Sequence, residues 1–213
     1  MEDSGNIVAT GKLFGTVAHK LFSEMDYQAT NDDSLVDEVI SAEGVRGNKA
    51  GEFRTELQDI AARFRETELF KQILSLDESE VKREEDFFIE FQSVLIEGTI
   101  DLICNSEGKR TLIDYKTDDI TQNDIETKIE HYKPQLMLYA KAVKNITGDY
   151  PDKTLLYFTK TNEFKEISVS DETILQVEKH LLDLLEDYKE NDFKKNADAC
   201  SSCGYYKEYC DGV

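Results

Sequence analysis

From Gly98 to Lys116 the chain reads G-T-I-D-L-I-C, then Asn105-Ser106-Glu107-Gly108, then K-R-T-L-I-D-Y-K. β-Branched and aliphatic residues on either side of a cluster of turn formers predict two strands joined by a tight connection. On the second strand the side-chain period of two puts Leu112, Asp114 and Lys116 on one face, with Ile113 and Tyr115 on the other. Two charges therefore share a face inside an apolar strand. If antiparallel pairing brings Asp101 near Asp114, two acceptor-only carboxylates and one ammonium converge on a small volume, a set suited to a divalent metal and a phosphate. The alternative is the solvent face of a half-buried hairpin, where alternating charge is ordinary.

A chain of 213 residues with 39% hydrophobic content suits one soluble globular domain with a real core. It has no apolar run long enough for a membrane span. Its start, Met1-Glu2-Asp3-Ser4-Gly5, lacks the basic and apolar regions of a signal peptide, so a cytoplasmic location is expected. The formal charge of −20 argues against avid, unaided capture of nucleic acid, which is held through its phosphates. Screening over about 8 Å at physiological salt nevertheless leaves a site governed by its local field and by any bound metal. The same acidity fits a module that a larger partner brings to its substrate.

Residues 11–25 predict a loop with two glycines followed by a helix, with Thr16 as N-cap, Val17, Leu21 and Phe22 as the apolar stripe, and His19 in the first turn. Residues 27–51 are acidic and loop-like, with a short helix around Val36 and Ile40. The spacing of Phe53, Leu57, Ile60, Phe64, Phe70 and Ile73 predicts a long amphipathic helix or a broken pair over 50–76. A first strand is expected in 81–91, with its apolar end at Phe87 to Phe91 and with Glu84 and Glu85 ahead of it. The segment 124–146 predicts a helix interrupted near Pro134, beyond which Gln135 and Tyr139 share a face. Strands at 154–159 and 164–169 and a helix over 172–189 complete one α/β domain with a mixed sheet. No repeat or low-complexity tract divides it.

Near the end, Cys200, Cys203 and Cys210 form C-x2-C-x6-C. Thiols this close in an intracellular chain suggest zinc or an iron–sulfur cluster more than structural thiols. A fourth ligand is missing. Cys104, the remaining cysteine, reads as a small buried hydrophobe.

Four runs occur in a telling order: G-T-x-x-H (Gly15 to His19), G-x-x-D (Gly98 to Asp101), D-Y-K-T (Asp114 to Thr117) and Q-x-x-x-Y (Gln135 to Tyr139). In this order they resemble the RecB-like branch of the PD-(D/E)xK nucleases, over nearly the whole chain and including a cysteine-rich end like that of AddB and the CRISPR-adaptation nucleases. The resemblance implies a restriction-endonuclease-like core: a central mixed sheet flanked by helices over about 11–190, a cysteine-containing tail at 196–213, and a single nuclease domain over 1–213. It implies that His19, Asp101, Asp114 and the carbonyl of Tyr115 hold Mg²⁺ or Mn²⁺, and that Lys116 is the catalytic lysine. Gln135 and Tyr139 then line the site and position the strand, and Glu85, with Glu84 as the register alternative, is an accessory acid. Iron–sulfur members draw one cysteine from ahead of the first motif, and Met1 to Thr16 supplies none. A four-cysteine cluster is therefore incomplete.

Phosphodiester hydrolysis makes the same demand on chemical grounds: a water made nucleophilic near neutral pH, and neutralisation of charge developing on the phosphate. Two carboxylates beside Lys116 favour its acting as a cation that orients water and stabilises charge, rather than as a base. The expectation is a metal-dependent DNA nuclease, an exonuclease on single-stranded ends, working with a helicase or repair-complex partner. No Walker A sequence gives the chain a motor of its own. A chain that starts just before the first motif reads as a terminal nuclease domain, excised or separately encoded. The rivals are a catalytically inactive scaffold on the nuclease fold, which binds DNA or a partner, and a nuclease acting on RNA.

Overall fold

The computed structural model describes residues 4–92, 94–118, 120 and 124–190. Along helix α1 (Ser4–Glu24), Phe14, Val17, Ala18, Leu21 and Phe22 recur at three- and four-residue spacing, and all are buried. The stripe packs with helices α2 (Asp33–Ala42), α3 (Asn48–Arg65) and α4 (Glu68–Leu74) on one face of a five-stranded sheet. The broken pair expected over 50–76 is α3 and α4. The break lies at Thr67, whose extended backbone and hydroxyl, accepting from the Phe70 N–H at 3.1 Å, start the second helix.

The strands β1 (Val81–Phe91), β2 (Val94–Ser106), β3 (Lys109–Lys116), β4 (Lys153–Phe158) and β5 (Glu163–Glu166) lie in sequence order across the sheet. All neighbours are antiparallel except β3 and β4, so the sheet is mixed. Glu107 and Gly108 connect β2 to β3 with φ of 52° and 78°, the two positive values of a type I′ turn. The parallel step from β3 to β4 needs a crossover, and helix α5 (Ile125–Thr147) supplies it. With helix α6 (Asp171–Glu190), α5 covers the second face, packing on Ile103, Leu112, Leu156 and Phe158. Lys141 of α5 and Glu178 of α6 form an ion pair between the two helices. Among the described residues no helix is long and apolar enough to cross a membrane.

Three local expectations are corrected. First, α1 begins at Ser4, so Gly11 and Gly15 are helical, and Thr16 is an interior residue whose hydroxyl donates to the Lys12 carbonyl at 3.2 Å rather than an N-cap. His19 thus lies toward the end of the helix, not in its first turn. A glycine inside a helix costs about 1 kcal/mol relative to alanine. Gly15 has a packing reason, because a Cβ there would stand 3.2 Å from the Thr117 hydroxyl at the end of β3. Second, Pro134 does not interrupt α5, which runs unbroken through it. Third, Glu84 and Glu85 lie within β1, not ahead of it.

Candidate active site

β1 and β2 share a local break in alternation that aims two acids at one point. Their pairing runs from Val81↔Cys104 to Arg83↔Leu102 and resumes at Glu85↔Ile100; between them Glu84 takes a left-handed φ of 47°. Val81 packs against the α1-side core while Phe87, at the same parity, packs on the α5 side. On the partner strand Leu102 faces the α1 side and Ile100 the α5 side. The alternation therefore resets at Glu84 and Asp101. Both side chains turn toward His19 of α1, and the three offer ligand atoms within 4.8 Å of one another.

Asp101 also ends a ladder. β2 and β3 pair from Ser106↔Lys109 to Leu102↔Ile113. One step beyond, Asp101 Oδ2 accepts the backbone N–H of Tyr115 at 2.7 Å. Its other oxygen is 3.2 Å from His19 Nδ1. β3 continues along β4 through Asp114↔Leu156 to Lys116↔Phe158, and Thr159 donates its N–H to the Lys116 carbonyl at 2.9 Å. The end of β3 is thus fixed by β4 while β2 parts from it. Beneath it the Tyr115 ring is buried in the α1-side core, stacked on Phe22 at 4.5 Å between centroids.

Asp114, 1% exposed, faces α5. Lys116 Nζ is 2.7 Å from Asp114 Oδ2 and donates to Gln135 Oε1 at 2.8 Å; Gln135 Nε2 in turn donates to the Tyr139 hydroxyl at 2.6 Å. The Lys116 ammonium also lies 4.2 Å from the centroid of the Tyr132 ring. Tyr132 is held by its hydroxyl, which donates to Asp118 at 2.6 Å, and Lys128 donates to the same carboxylate. Gly98 belongs to this wall. Its missing Cβ would sit 2.8 Å from the Phe87 ring, which therefore lies over the glycine and meets Tyr139 edge to face at 5.4 Å.

The electrostatics of the cluster follow from its crowding and burial. Burial, then the field of Asp101, pushes the Asp114 carboxyl up to about 6, against the pull of Lys116. Burial and Asp101 likewise raise Glu84. Burial works against a charge on His19, but the hydrogen bond and field of Asp101 outweigh it and hold the imidazole above its ordinary value. Burial pushes Asp118 up as well, yet the hydrogen bonds from Lys128 and Tyr132 prevail and lower it. Asp114, Glu84 and the His19 imidazole thus favour their protonated forms. Hard carboxylate oxygens with an imidazole nitrogen are a donor set that Mg²⁺ or Mn²⁺ accepts.

The PD-(D/E)XK nuclease superfamily profile matches residues 5–211. The chain belongs to that superfamily. It is 31% identical over 173 residues to an ATP-dependent helicase/nuclease subunit of Carboxydothermus hydrogenoformans, covering 75% of this chain and 14% of that protein. The corresponding helicase/nuclease protein of Acetivibrio thermocellus is 25% identical over 163 residues, covering 67% and 12%. These relatives support placement in the RecB-like branch, and the chain spans about an eighth of their length. A solved structure described as SSO0001 aligns over 95% of both chains with a TM-score of 0.46 and 17% identity.

In this PD-(D/E)XK chain the fold brings His19, Asp101, Asp114, Lys116, Gln135 and Tyr139 to one region. It does not bring Glu85, which is paired with Lys82 at 2.7 Å and half exposed; Glu84 is the acid that reaches His19 and Asp101. Cys200, Cys203 and Cys210 lie outside the described residues. Sequence reasoning misses Tyr132 and Asp118, although Tyr132 precedes Gln135 by three residues, a spacing that puts both on one helix face. Two clefts flank the cluster. One, of about 530 Å³, runs along α1 past Lys12, Thr16, His19, Lys20 and Glu84; the other, of about 450 Å³, opens beside Gln135 and Tyr139. A larger cavity of about 780 Å³, lined by Thr67, Ser106, Thr111 and Asp152 among others, contains no member of the cluster.

Proposed function

We propose that this chain is a Mg²⁺- or Mn²⁺-dependent deoxyribonuclease that cuts single-stranded ends as an exonuclease and serves as the nuclease part of a cytoplasmic helicase–nuclease repair system. The observation that carries the reading is the meeting of two groups at the end of β3. A His19, Glu84 and Asp101 donor set lies on one side, and an Asp114, Lys116, Gln135 and Tyr139 chain on the other. His19, Asp101, Asp114 and the Tyr115 carbonyl hold the ion, with Glu84 as the accessory acid in the place expected for Glu85. When bound, the ion lowers the pKa of a water and polarises the phosphate.

Lys116 supplies fixed positive charge. Asp114, Gln135 and the Tyr132 ring all hold its ammonium, so it meets a phosphoryl oxygen without first ordering a flexible side chain. Gln135 and Tyr139 position the strand and, through their hydrogen bond, transmit the packing of Phe87 to the lysine. A helicase partner is supported by the relatives, whose names describe helicase/nuclease subunits and whose length greatly exceeds this chain. The decisive assay gives purified protein, with Mn²⁺ or Mg²⁺, end-labelled single-stranded DNA, duplex DNA and RNA. Cleavage of single-stranded DNA, lost in Asp114→Ala and Lys116→Ala, is expected. Equal cleavage by parent and variants refutes the site, and no cleavage of any form by the parent refutes the activity.

A further inference from the structure

The cleft of about 450 Å³ on the α5 side falls within the range of small-ligand sites and begins at the catalytic cluster itself. Gln135 lines it with one side while its Oε1 accepts from Lys116. Its walls are Phe87, His131, Tyr132, Pro134, Leu138 and Tyr139. Three contacts arrange these rings. Tyr139 and Phe87 meet edge to face, His131 and Tyr132 do the same at 4.9 Å and 74°, and the Phe87 ring fills the place of a Gly98 side chain. Tyr132 is anchored from behind by Asp118.

The charge of this cleft separates two kinds of occupant. Among the described residues no lysine or arginine lines it, and Glu97 is the acid on its rim. That lining offers a phosphate group no lysine or arginine and sets Glu97 against it. A flat, neutral, aromatic group does, on rings and a proline fixed before it arrives. The cleft along α1 has a polar lining instead, with Lys12, Lys20, His19, Glu84 and two hydroxyl side chains and no aromatic ring but the imidazole among its described residues.

We infer that the cleft between α5 and the β1–β2 hairpin is a nucleobase site, in which one unpaired base of the strand next to the cut phosphate stacks against His131 and its neighbouring rings. This rests on the nuclease reading and adds a physical basis for single-strand preference. A base lodged there has left its complement, so an intact duplex must open before its phosphate reaches Lys116. Stacking on aromatic side chains is worth roughly 5- to 150-fold in affinity per base and is tolerant of sequence, so little base preference is expected.

His131 is exposed and is no part of the catalytic chain, so its replacement leaves the fold and the metal ligands in place. The experiment measures binding of the full chain to a labelled oligothymidylate in Ca²⁺ buffer, with an abasic unit placed at each position in turn. One position is expected to lose at least fivefold in affinity when abasic. His131→Ala should lose a similar factor on the intact strand and nothing further on the strand abasic at that position, and His131→Phe should restore binding. Additive losses, no sensitive position, or a fully complementary duplex bound and cut as well as the single strand overturns the base site. If the parent cuts DNA in Mn²⁺ while these signs are missing, the base site alone fails. If it neither binds nor cuts any nucleic acid, both readings fail.

Discussion

Asp114→Asn should make the protein more stable and the enzyme inactive. The carboxyl is 1% exposed, and burial with the neighbouring Asp101 lifts it from 3.8 to about 6. A carboxyl raised on folding binds more protons in the folded than in the unfolded state between those two values. Stability therefore falls as pH rises through that window, and the full penalty acts above pH 6. At 1.36 kcal/mol per pH unit the penalty is roughly 3 kcal/mol. Asparagine removes it and keeps an oxygen toward Lys116; the weaker contact there gives back about 1 kcal/mol. The net gain in EDTA at pH 7.5 is then about 2 kcal/mol, or about 4–8 °C in Tm for a chain of this size. Below pH 4 the parent carboxyl is protonated and the gain vanishes. Saturating Mn²⁺ should reverse the order, because an ion at 100 times its Kd stabilises the parent by about 2.7 kcal/mol and finds a weaker site in the variant. Thermal melts in EDTA at pH 7.5 and pH 4, and in Mn²⁺ at pH 7.5, test each arm. A variant no more stable than the parent at pH 7.5 in EDTA, or one whose advantage persists undiminished at pH 4, refutes the crowded-carboxylate account.

The same protons must leave before an ion binds. His19 is held above its ordinary value and Asp114 near 6, so Mn²⁺ affinity should fall at least tenfold from pH 7.5 to 5.5, with proton release visible as buffer-dependent heat in calorimetry. Glu84→Gly should weaken Mn²⁺ binding several-fold with Tm nearly unchanged, because glycine accepts the φ of 47° without strain, whereas Glu85→Ala should leave the ion's affinity alone. Gly98→Ala drives a methyl group into the Phe87 ring; a loss of about 1–3 kcal/mol in denaturant melts and a larger fall in cleavage than in Mn²⁺ affinity are expected. Adding Ca²⁺ at constant ionic strength should tighten oligonucleotide binding by at least tenfold over EDTA in fluorescence anisotropy, and an unchanged Kd would count against an ion-centred site.

The hairpin from Gly98 to Lys116 is legible in the sequence because two local rules agree there: turn chemistry at Glu107 and Gly108, and a period of two through Leu112 to Lys116. The parity reading holds as far as Lys116, which together with Asp114 faces α5 while Ile113 and Tyr115 join the α1-side core. Parity fails on β1 and β2, where one left-handed residue shifts every later side chain to the other face. A glutamate at positive φ carries no sequence signal, so choosing between Glu84 and Glu85 needs the backbone. The start of α1 is hidden for a related reason. Gly11 and Gly15 read as loop formers, but Gly15 is glycine for closeness to Thr117 and not for a turn. Pro134 reads as a break, but the apolar contacts of Leu136, Met137, Ala142 and Val143 hold α5 together across the lost hydrogen bond.

A chain of charge −20 proposed to handle a polyanion raises the question of where its charge lies. Several of its surface cations are already matched: Arg54 with Asp37, Lys71 with Glu68, Lys144 with Asp171. Such pairs contribute little to stability, but they remove positive charge from the field that a nucleic acid meets. At the cluster Glu84, Asp101 and Asp114 stand beside the His19 imidazole and the Lys116 ammonium, so the acids there oppose the approach of a phosphate. A divalent cation changes the sign of that balance within the short range that screening allows. It then serves as part of the binding surface as well as of the chemistry. Lys12 on α1 and Lys116 on β3 lie to either side of it, with Lys20 turned in part toward Glu43 at 3.5 Å, so the cations that a phosphate backbone meets here are few and local. On such a surface, bulk charge limits unaided capture while a bound ion would admit phosphate to the site, so the proposed use of metal and the proposed delivering partner answer one electrostatic problem.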